Sequence, residues 1–206
     1  MITIVDYGVG NLASIQNMLK KIGVASLISS NEAEIEQATR LILPGVGAFD
    51  TCAAKLTSSG LLPVLNRKVL EQKIPVLGIC VGMQLLMEGS EEGKLPGLDW
   101  IKGKIVKFNR DQMPPHFKVP HMGWTDVTLA KKSHLFKGLE DEARFYFVHS
   151  YHPQLADPTD ALVYADYGYR FVAGMEHENI CGVQFHPEKS HRFGMQLLRN
   201  FASQIA

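Results

Sequence analysis

The residue best suited to chemistry is Cys80, which lies between two glycines in the stretch LGICVGMQLL at positions 77–86. An apolar run ends at this cysteine and an apolar helical pattern follows it, so the chain must change direction within a residue or two. Gly78 and Gly82 remove the side-chain bulk that would hold strand and helix apart. The pattern Gly-x-Cys-x-Gly therefore predicts a nucleophile elbow with cysteine as the nucleophile.

An elbow of this kind would do two chemical jobs. It holds the Cys80 sulfur at a helix N-terminus, where backbone N–H groups and the helix dipole favour the thiolate. The N–H of Val81 can also stabilise the oxyanion of a tetrahedral intermediate, which is worth about 3 kcal/mol per donor. The alternative is that Cys80 is a small buried apolar residue, as free cysteines often are. The elbow alone leaves both interpretations open.

A glycine-rich stretch, PGVGAF at positions 44–49, follows another apolar run. Gly45 and Gly47 are separated by Val46, and glycines at this spacing permit backbone with φ > 0 and leave N–H groups uncovered by side chains. Beside a nucleophile elbow, the stretch predicts a second wall for an oxyanion hole. The alternative is an ordinary turn from strand to helix.

The segment CGVQFHPEKS at positions 181–190 supplies a candidate base. In an extended chain, residues two apart point to the same side, so His186 and Glu188 should project together. Pro187 cannot donate to a sheet ladder, which places the pair at the end of a strand. With Cys80 they match the logic of a catalytic triad of nucleophile, base and orienting carboxylate. A surface histidine–carboxylate contact is the alternative.

The first half of the chain predicts alternating strands and helices. Strands are expected at Ile2–Val5 and at residues 25–29, 40–43 and 74–79, and helices at residues 12–22, 60–72 and directly after Cys80. This rhythm predicts an α/β fold with a doubly wound parallel sheet. The turn DYGVGN after the first strand lacks the third glycine of a dinucleotide-binding loop, so it is better interpreted as a loop that carries ligands or partners.

The second half predicts antiparallel strands and one closing helix. Strands are expected at residues 101–108, 124–129, 144–151, 161–166, 171–176 and 180–185, and the apolar positions of the helix are Phe193, Leu197, Leu198, Phe201 and Ile205. These strands should form hairpins beside the parallel sheet. No linker separates the halves, so residues 1–206 are expected to form a single domain.

Composition excludes several classes of function. The 206 residues are 46% apolar and carry 21 basic and 21 acidic side chains, a balance that argues against nucleic acid or an anionic membrane as a partner. The three cysteines are scattered, and the histidines show no zinc-ligand spacing, so neither disulfides nor a metal site is expected. No signal sequence or membrane-spanning run is recognised, and the cytoplasm is the expected compartment.

The three stretches at 44–49, 78–86 and 182–190, in this order, resemble the class I (triad) glutamine amidotransferases. The stretches DYGVGN, PHMGW, YFVHSY and PEKS are most similar to one branch of that family, the glutaminase subunits of imidazole glycerol phosphate synthases. The resemblance implies a flavodoxin- or Rossmann-like α/β fold without a cofactor. It also implies hydrolysis of glutamine to glutamate and ammonia through a thioester on Cys80.

The resemblance also implies roles for particular residues. The backbone at Gly45, Val46 and Val81 would form the oxyanion hole. Four residues would hold glutamine, namely Gly47, Gln84, Ser150 and Tyr151. The ammonia would pass to a separate (β/α)₈-barrel cyclase subunit in a heterodimer, and four positions would lie near that interface, namely Asn11, Trp124, Tyr146 and Lys189. The turn at 44–47 would gate the glutaminase.

Two other functions remain open from the sequence. The chain could serve another ammonia-channelling synthase, although DYGVGN and PHMGW argue against this. It could also be a catalytically silent interaction subunit, although a scaffold has no need for Cys80, His186 and Glu188 together.

Overall fold

A mixed nine-stranded sheet forms the centre of the structure, a computed structural model that describes residues 1–203. The strands are β1 (Ile2–Val5), β2 (Ser26–Ser29), β3 (Arg40–Gly45), β4 (Val76–Cys80), β5 (Gly103–Lys107), β6 (His121–Leu129), β7 (Arg144–His149), β8 (Tyr151–Leu155), β9 (Ala161–Tyr167), β10 (Tyr169–His177) and β11 (Ile180–Val183). The helices are α1 (Leu12–Lys21), α2 (Glu32–Glu36), α3 (Phe49–Ser58), α4 (Leu62–Asn66), α5 (Val81–Gln84) and α6 (His191–Ser203).

The sheet has a parallel and an antiparallel half. Its strand order is β2-β1-β3-β4-β11-β10-β9-β6-β7, and β5 pairs with β8 in a separate two-stranded sheet. The pairs from β2 to β11 are parallel, and those from β11 to β7 are antiparallel. The prediction of an α/β fold with added antiparallel strands is therefore confirmed.

The register brings the predicted stretches to one edge of the sheet. In the parallel ladders Gly45 lies opposite Cys80 and Val183 lies opposite Ile79. The carboxyl ends of β3, β4 and β11 therefore meet, with β4 in the middle. That edge is where open α/β sheets bind ligands.

Buried apolar side chains hold these strands in place. The central strands β3 and β4 are buried along nearly their whole length, as expected for parallel strands covered on both faces. Burial of each Leu, Ile or Phe side chain contributes about 1.5–3 kcal/mol. Phe145 of β7 stacks on Phe185, which follows β11, with ring centroids 3.8 Å apart. This contact joins the antiparallel half to the segment that carries the candidate base.

Three glycines allow the chain to turn at Cys80. A Cβ at Gly82 would lie 1.9 Å from the Leu43 carbonyl oxygen, and one at Gly78 would lie 2.7 Å from Met83 Cα. A Cβ at Gly45 would lie 2.4 Å from the Gly82 backbone nitrogen. The close approach predicted for Gly78 and Gly82 is confirmed, and Gly45 adds a contact that the sequence did not indicate.

Several predicted boundaries were wrong. The strand expected at 40–43 continues through Gly45, so the predicted turn begins later. The helix after Cys80 ends at Gln84, although the apolar residues that follow are buried. The run at 144–151 is not one strand, because it breaks at Ser150 and continues in the other sheet. Ile205 lies outside the described residues.

Helices α2 and α3 were not predicted. Helix α2 has only five residues, too few for a periodic pattern, and begins where the Asn31 side chain accepts hydrogen bonds from Ala33 N and Glu34 N. Helix α3 buries Phe49, Cys52, Ala53 and Leu56, a helical spacing that the sequence does display. Among residues 1–203, no helix has the length and apolar character needed to cross a membrane.

We expect Gly82→Ala to lower the free energy of unfolding by about 3 kcal/mol or more, because the new methyl group meets backbone that side-chain rotation cannot clear. Gly89→Ala is the matched control, since the nearest atom to its Cβ lies 3.9 Å away. Its effect should stay within about 0.5 kcal/mol. Urea unfolding monitored by circular dichroism measures both, and equal effects would contradict the proposed packing at the elbow.

Candidate active site

Cys80 occupies a strained backbone conformation between β4 and α5. Its φ is 56° and its ψ is −116°, a conformation that costs a residue with a side chain about 1–3 kcal/mol. Val81 is the first residue of α5, a position at which the N–H has no partner within the helix. Cys80 is 5% exposed. The sharp turn predicted from the glycine spacing is therefore confirmed, and it aims the sulfur out of the sheet edge.

His186 and Glu188 form a buried hydrogen-bonded pair. His186 Nδ1 lies 2.8 Å from Glu188 Oε1, and the two side chains are 3% and 1% exposed. A carboxylate only accepts, so Nδ1 carries the hydrogen and the free electron pair of the neutral ring is on Nε2. The buried Nε2 has no nitrogen or oxygen partner, and its polar neighbour is the Cys80 sulfur. The pair meets as predicted but by a different route, because Pro187–Lys189 forms a 3₁₀ turn and not extended chain.

The charge on His186 is set by its two neighbours. Burial alone would lower its pKa, but the Cys80 sulfur and the Glu188 carboxylate outweigh burial and raise the pKa to about 10. The imidazolium is therefore favoured at neutral pH beside the cysteine. A positively charged histidine adjacent to a cysteine favours the thiolate, the reactive form of the side chain.

The backbone of His186 is also held in place. Its N–H donates to the Tyr146 carbonyl at 2.9 Å, and its carbonyl accepts from the Ser190 hydroxyl at 2.6 Å. The Ser190 hydroxyl oxygen in turn accepts from Tyr146 N at 3.0 Å. Strand β7 therefore fixes the position of the candidate base.

Two glutamine side chains connect the cysteine to the helix that follows it. Gln184 Nε2 lies 3.8 Å from the Cys80 sulfur, and Gln84 Nε2 donates to Gln184 Oε1 at 3.0 Å. Both side chains are buried. Gln84 was expected here from the family resemblance. Gln184 lies within a recognised motif but was not singled out, and its N–H directed at the sulfur stabilises negative charge there.

A cavity of about 380 Å³ opens at the sulfur. Its lining contains most of the predicted site residues, namely Val46, Gly47, Cys80, Val81, Gln84, Ser150, Tyr151, His186 and Lys189. Gly45 is buried in β3 beneath this wall, while Val46 and Gly47 are exposed, with φ of +92° at Gly47. The volume suits a small polar ligand.

Glu92 is a cavity residue that the sequence analysis missed. It is exposed, and its Oε2 accepts from the Phe49 backbone N–H at 2.8 Å. Burial of Tyr151, together with the nearby carboxylates of Glu92 and Glu91, raises the pKa of the Tyr151 hydroxyl. A glutamate in a glycine- and proline-rich loop gives no sequence signal of its own. The cavity wall thus includes an exposed carboxylate.

The predicted interface positions are on the surface beside the cavity. Trp124 is 42% exposed, lies opposite Tyr146 across the β6–β7 ladder and stacks on His191 with ring planes 2° apart. Lys189 Nζ lies 5.7 Å from the Tyr146 ring centroid. Asn11 is exposed and precedes α1, which contacts the turn at Pro187–Lys189.

The other two cysteines have different surroundings. The Cys52 thiol donates to the Val46 carbonyl at 3.4 Å, and burial raises its pKa. Cys181 is fully buried in β11, where burial and the Glu176 carboxylate raise its pKa. Within residues 1–203 no group of three or more His, Cys, Asp or Glu side chains is arranged to hold a metal ion.

Comparison with known proteins identifies relatives over the whole length of the chain. The family model of class I glutamine amidotransferases matches residues 3–205. The imidazole glycerol phosphate synthase subunit HisH of Leptospira interrogans is 49% identical over 98% of this chain and 100% of its own. A second HisH subunit, HisH 2 of Methanococcus maripaludis, is 48% identical over 99% and 100%. A solved glutamine amidotransferase structure superimposes with a TM-score of 0.74 at 18% identity, covering 98% and 97% of the two chains.

We expect Glu188→Gln to lower the pKa of His186, because the mutation removes one of the two negative groups that hold the proton on the ring. The wild-type pKa of about 10 lies above the ordinary value of 6.5. The stability from this pair is therefore present below pH 6.5 and lost as the pH rises through about 10. NMR titration of labelled histidine measures the midpoint.

Glu92→Gln is the matched control for this titration. It removes a carboxylate from the cavity wall that makes no hydrogen bond to His186, so the midpoint of His186 should stay at the wild-type value. An unchanged midpoint in Glu188→Gln would show that the carboxylate does not hold the imidazolium.

Proposed function

This chain belongs to the class I glutamine amidotransferases, and on that premise we propose that it is the glutaminase subunit of an imidazole glycerol phosphate synthase. The observation that carries the chemistry is that Cys80 and His186 line one cavity, with Glu188 hydrogen-bonded to His186 and the His186 pKa raised beside the sulfur. The assignment to this particular synthase rests on relatives that are 46–49% identical over almost the full chain and are named as its subunits. Residues 1–206 act as one glutaminase domain.

The reaction begins at the Cys80 sulfur. The thiolate attacks the carboxamide carbon of glutamine, and the negative charge moves to the carbonyl oxygen. The backbone of Val81 and of the segment at Gly45 and Val46 stabilises this oxyanion, since β3 ends directly opposite the cysteine. His186 then gives its proton to the nitrogen, the C–N bond breaks, and ammonia leaves a γ-glutamyl thioester on Cys80.

Water completes the cycle. Neutral His186 takes a proton from water through Nε2, the hydroxide attacks the thioester carbon, and glutamate leaves as the thiolate forms again. Glu188 keeps the proton on Nδ1 throughout, so that Nε2 stays available. This division of roles explains why the buried Nε2 has the Cys80 sulfur, and no nitrogen or oxygen partner, beside it.

The cavity wall orients the substrate. Gly47, Gln84, Ser150 and Tyr151 surround the amino-acid part of glutamine. Glu92 is the exposed carboxylate of this wall, and it pairs with the α-ammonium group. A substrate held at both ends presents its carboxamide to the sulfur in a fixed orientation.

The ammonia goes to a separate cyclase subunit with a (β/α)₈ barrel. That subunit converts its nucleotide substrate to imidazole glycerol phosphate and an aminoimidazole carboxamide ribotide. The relatives named as subunits of that synthase are matched over 100% of their own length, which supports a separate partner. The chain works in a heterodimer, in the cytoplasm and without a cofactor.

The cyclase binds the surface formed by Asn11, Trp124, Tyr146 and Lys189. An exposed tryptophan beside a tyrosine is typical of a binding hot spot. Tyr146 also accepts a hydrogen bond from the backbone of His186. A residue of the partner interface therefore contacts the catalytic base directly. The turn at Val46 and Gly47 gates the reaction, because it is the exposed part of the oxyanion wall.

We expect Cys80→Ser to abolish glutamate release, with a loss of at least about 10³-fold, because the serine hydroxyl stays protonated at neutral pH and is a much weaker nucleophile than a thiolate. Cys52→Ser and Cys181→Ser are controls that remove the other two thiols, and they should keep most of the activity. Glutamate production by the complex with the cyclase gives the rates. Equal activity in all three variants would rule out Cys80 as the nucleophile.

We expect Trp124→Ala to weaken binding of the cyclase subunit at least tenfold. A tenfold change in affinity corresponds to about 1.4 kcal/mol, and truncation of a hot-spot residue costs more than that. Leu70→Ala is the matched control, since Leu70 is 41% exposed and lies in another part of the chain. Isothermal titration calorimetry measures the affinity.

Adding the cyclase and its nucleotide ligand should also raise the rate of glutamate release. A rate that neither one changes would contradict the choice of partner.

A further inference from the structure

A line of hydrogen-bonded side chains leads to His149, a residue of the cavity lining that the triad does not use. Thr125 Oγ1 and His121 Nε2 are 2.8 Å apart, and His121 Nδ1 and His149 Nε2 are 2.9 Å apart. His149 Nδ1 lies 2.7 Å from the Tyr151 carbonyl oxygen. Three contacts in series thus connect strand β6 to the first residue of β8.

The end of this line at a carbonyl fixes the direction of every bond. A carbonyl only accepts, so His149 carries its hydrogen on Nδ1 and accepts at Nε2 when neutral. His121 must then donate from Nδ1 and accept at Nε2, which leaves the Thr125 hydroxyl as the donor to His121. One tautomer of each histidine satisfies the whole line, and the other tautomer of either one breaks it.

The surroundings keep both rings neutral and in place. His121 and His149 are 1% and 6% exposed. Burial lowers the pKa of His121 to about 4 and the pKa of His149 well below its ordinary range. His121 is also stacked between Tyr167 and Phe147, with centroid distances of 4.0 Å and 4.8 Å. The rings therefore cannot turn away from their partners without losing packing.

The line ends where the chain passes from one sheet to the other. Strand β7 ends at His149 in the large sheet, and β8 begins at Tyr151 in the small one. The Ser150 carbonyl accepts from Phe108 N at 3.1 Å, and the Tyr151 carbonyl accepts from His149. Both carbonyls of the link are therefore occupied, which fixes the orientation of this backbone at the cavity wall.

We propose that His149, held in one tautomer by His121 and Thr125, is a positioning residue that sets the backbone of Ser150 and Tyr151 against bound glutamine. The inference rests on the proposed function and assigns the line a role in substrate affinity. The triad has its own support through Glu188, Tyr146 and Ser190. Loss of the line should therefore weaken glutamine binding and leave the chemical step largely intact.

A purely structural role makes a different prediction. His152 is a third buried histidine in the same aromatic cluster, 5.0 Å from the Phe108 ring, and it bonds the Tyr169 hydroxyl at 2.9 Å. It is not part of the line. If the cluster only filled space, replacing His152 and replacing His121 would have similar effects on the kinetics.

The test compares His121→Phe with His152→Phe in the complex with the cyclase subunit. Phenylalanine keeps an aromatic ring in each place and removes the ring nitrogens. We expect His121→Phe to raise KM for glutamine about tenfold, the upper effect of one lost hydrogen bond, and to change kcat less than about twofold. His152→Phe should leave KM at the wild-type value. Thermal unfolding checks that each variant is folded.

A milder pair of variants decides the question if His121→Phe does not fold. Thr125→Val removes only the hydroxyl donor, so KM should rise about threefold, and Thr125→Ser should restore it. Labelling of Cys80 provides a second readout. A glutamine analogue that alkylates after binding should react more slowly with Thr125→Val, whereas iodoacetamide should react at the wild-type rate.

Equal KM changes in His121→Phe and His152→Phe, or a wild-type KM in Thr125→Val, would overturn the inference alone. A wild-type complex that releases no glutamate would overturn the proposed function, and the inference with it. The two failures are therefore distinguishable by the wild-type rate.

Discussion

The site depends on one backbone constraint, the positive φ of 56° at Cys80. A residue with a side chain adopts this conformation only where the surrounding structure leaves no alternative. Here glycine backbone supplies that constraint, because Gly82 lies against the end of β3 and Gly78 lies against the start of α5. The strained turn points the sulfur into the cavity and leaves the first N–H groups of α5 beside it.

The two halves of the sheet make different contributions to this site. The parallel half supplies the cysteine and the glycine wall at the ends of β3 and β4. The antiparallel half holds the base. The Tyr146 carbonyl of β7 accepts from the His186 N–H, and Ser190 links the His186 carbonyl to the Tyr146 N–H. The imidazolium lies between an anionic carboxylate and the sulfur, and this arrangement outweighs the cost of its burial.

The sequence predicted features that local chemistry determines and missed those that depend on distant contacts. The glycine spacing around Cys80 and the apolar runs of β1 and β4 were sufficient to predict the elbow and the parallel sheet. The break at Ser150 could not be predicted, because the run around it is β-prone throughout and the break is held by Phe108 and His149. Glu92 has no motif, and only the folding of its loop onto α3 brings it to the cavity.

We propose that glutamine is hydrolysed through a covalent bond to Cys80. Rapid acid quenching of the complex during turnover, followed by mass spectrometry of its peptides, tests this most directly. We expect a γ-glutamyl group on the peptide that contains Cys80, formed and consumed at rates that match glutamate release. A γ-glutamyl group on Cys52 or Cys181, or glutamate release without any acylated peptide, would contradict it.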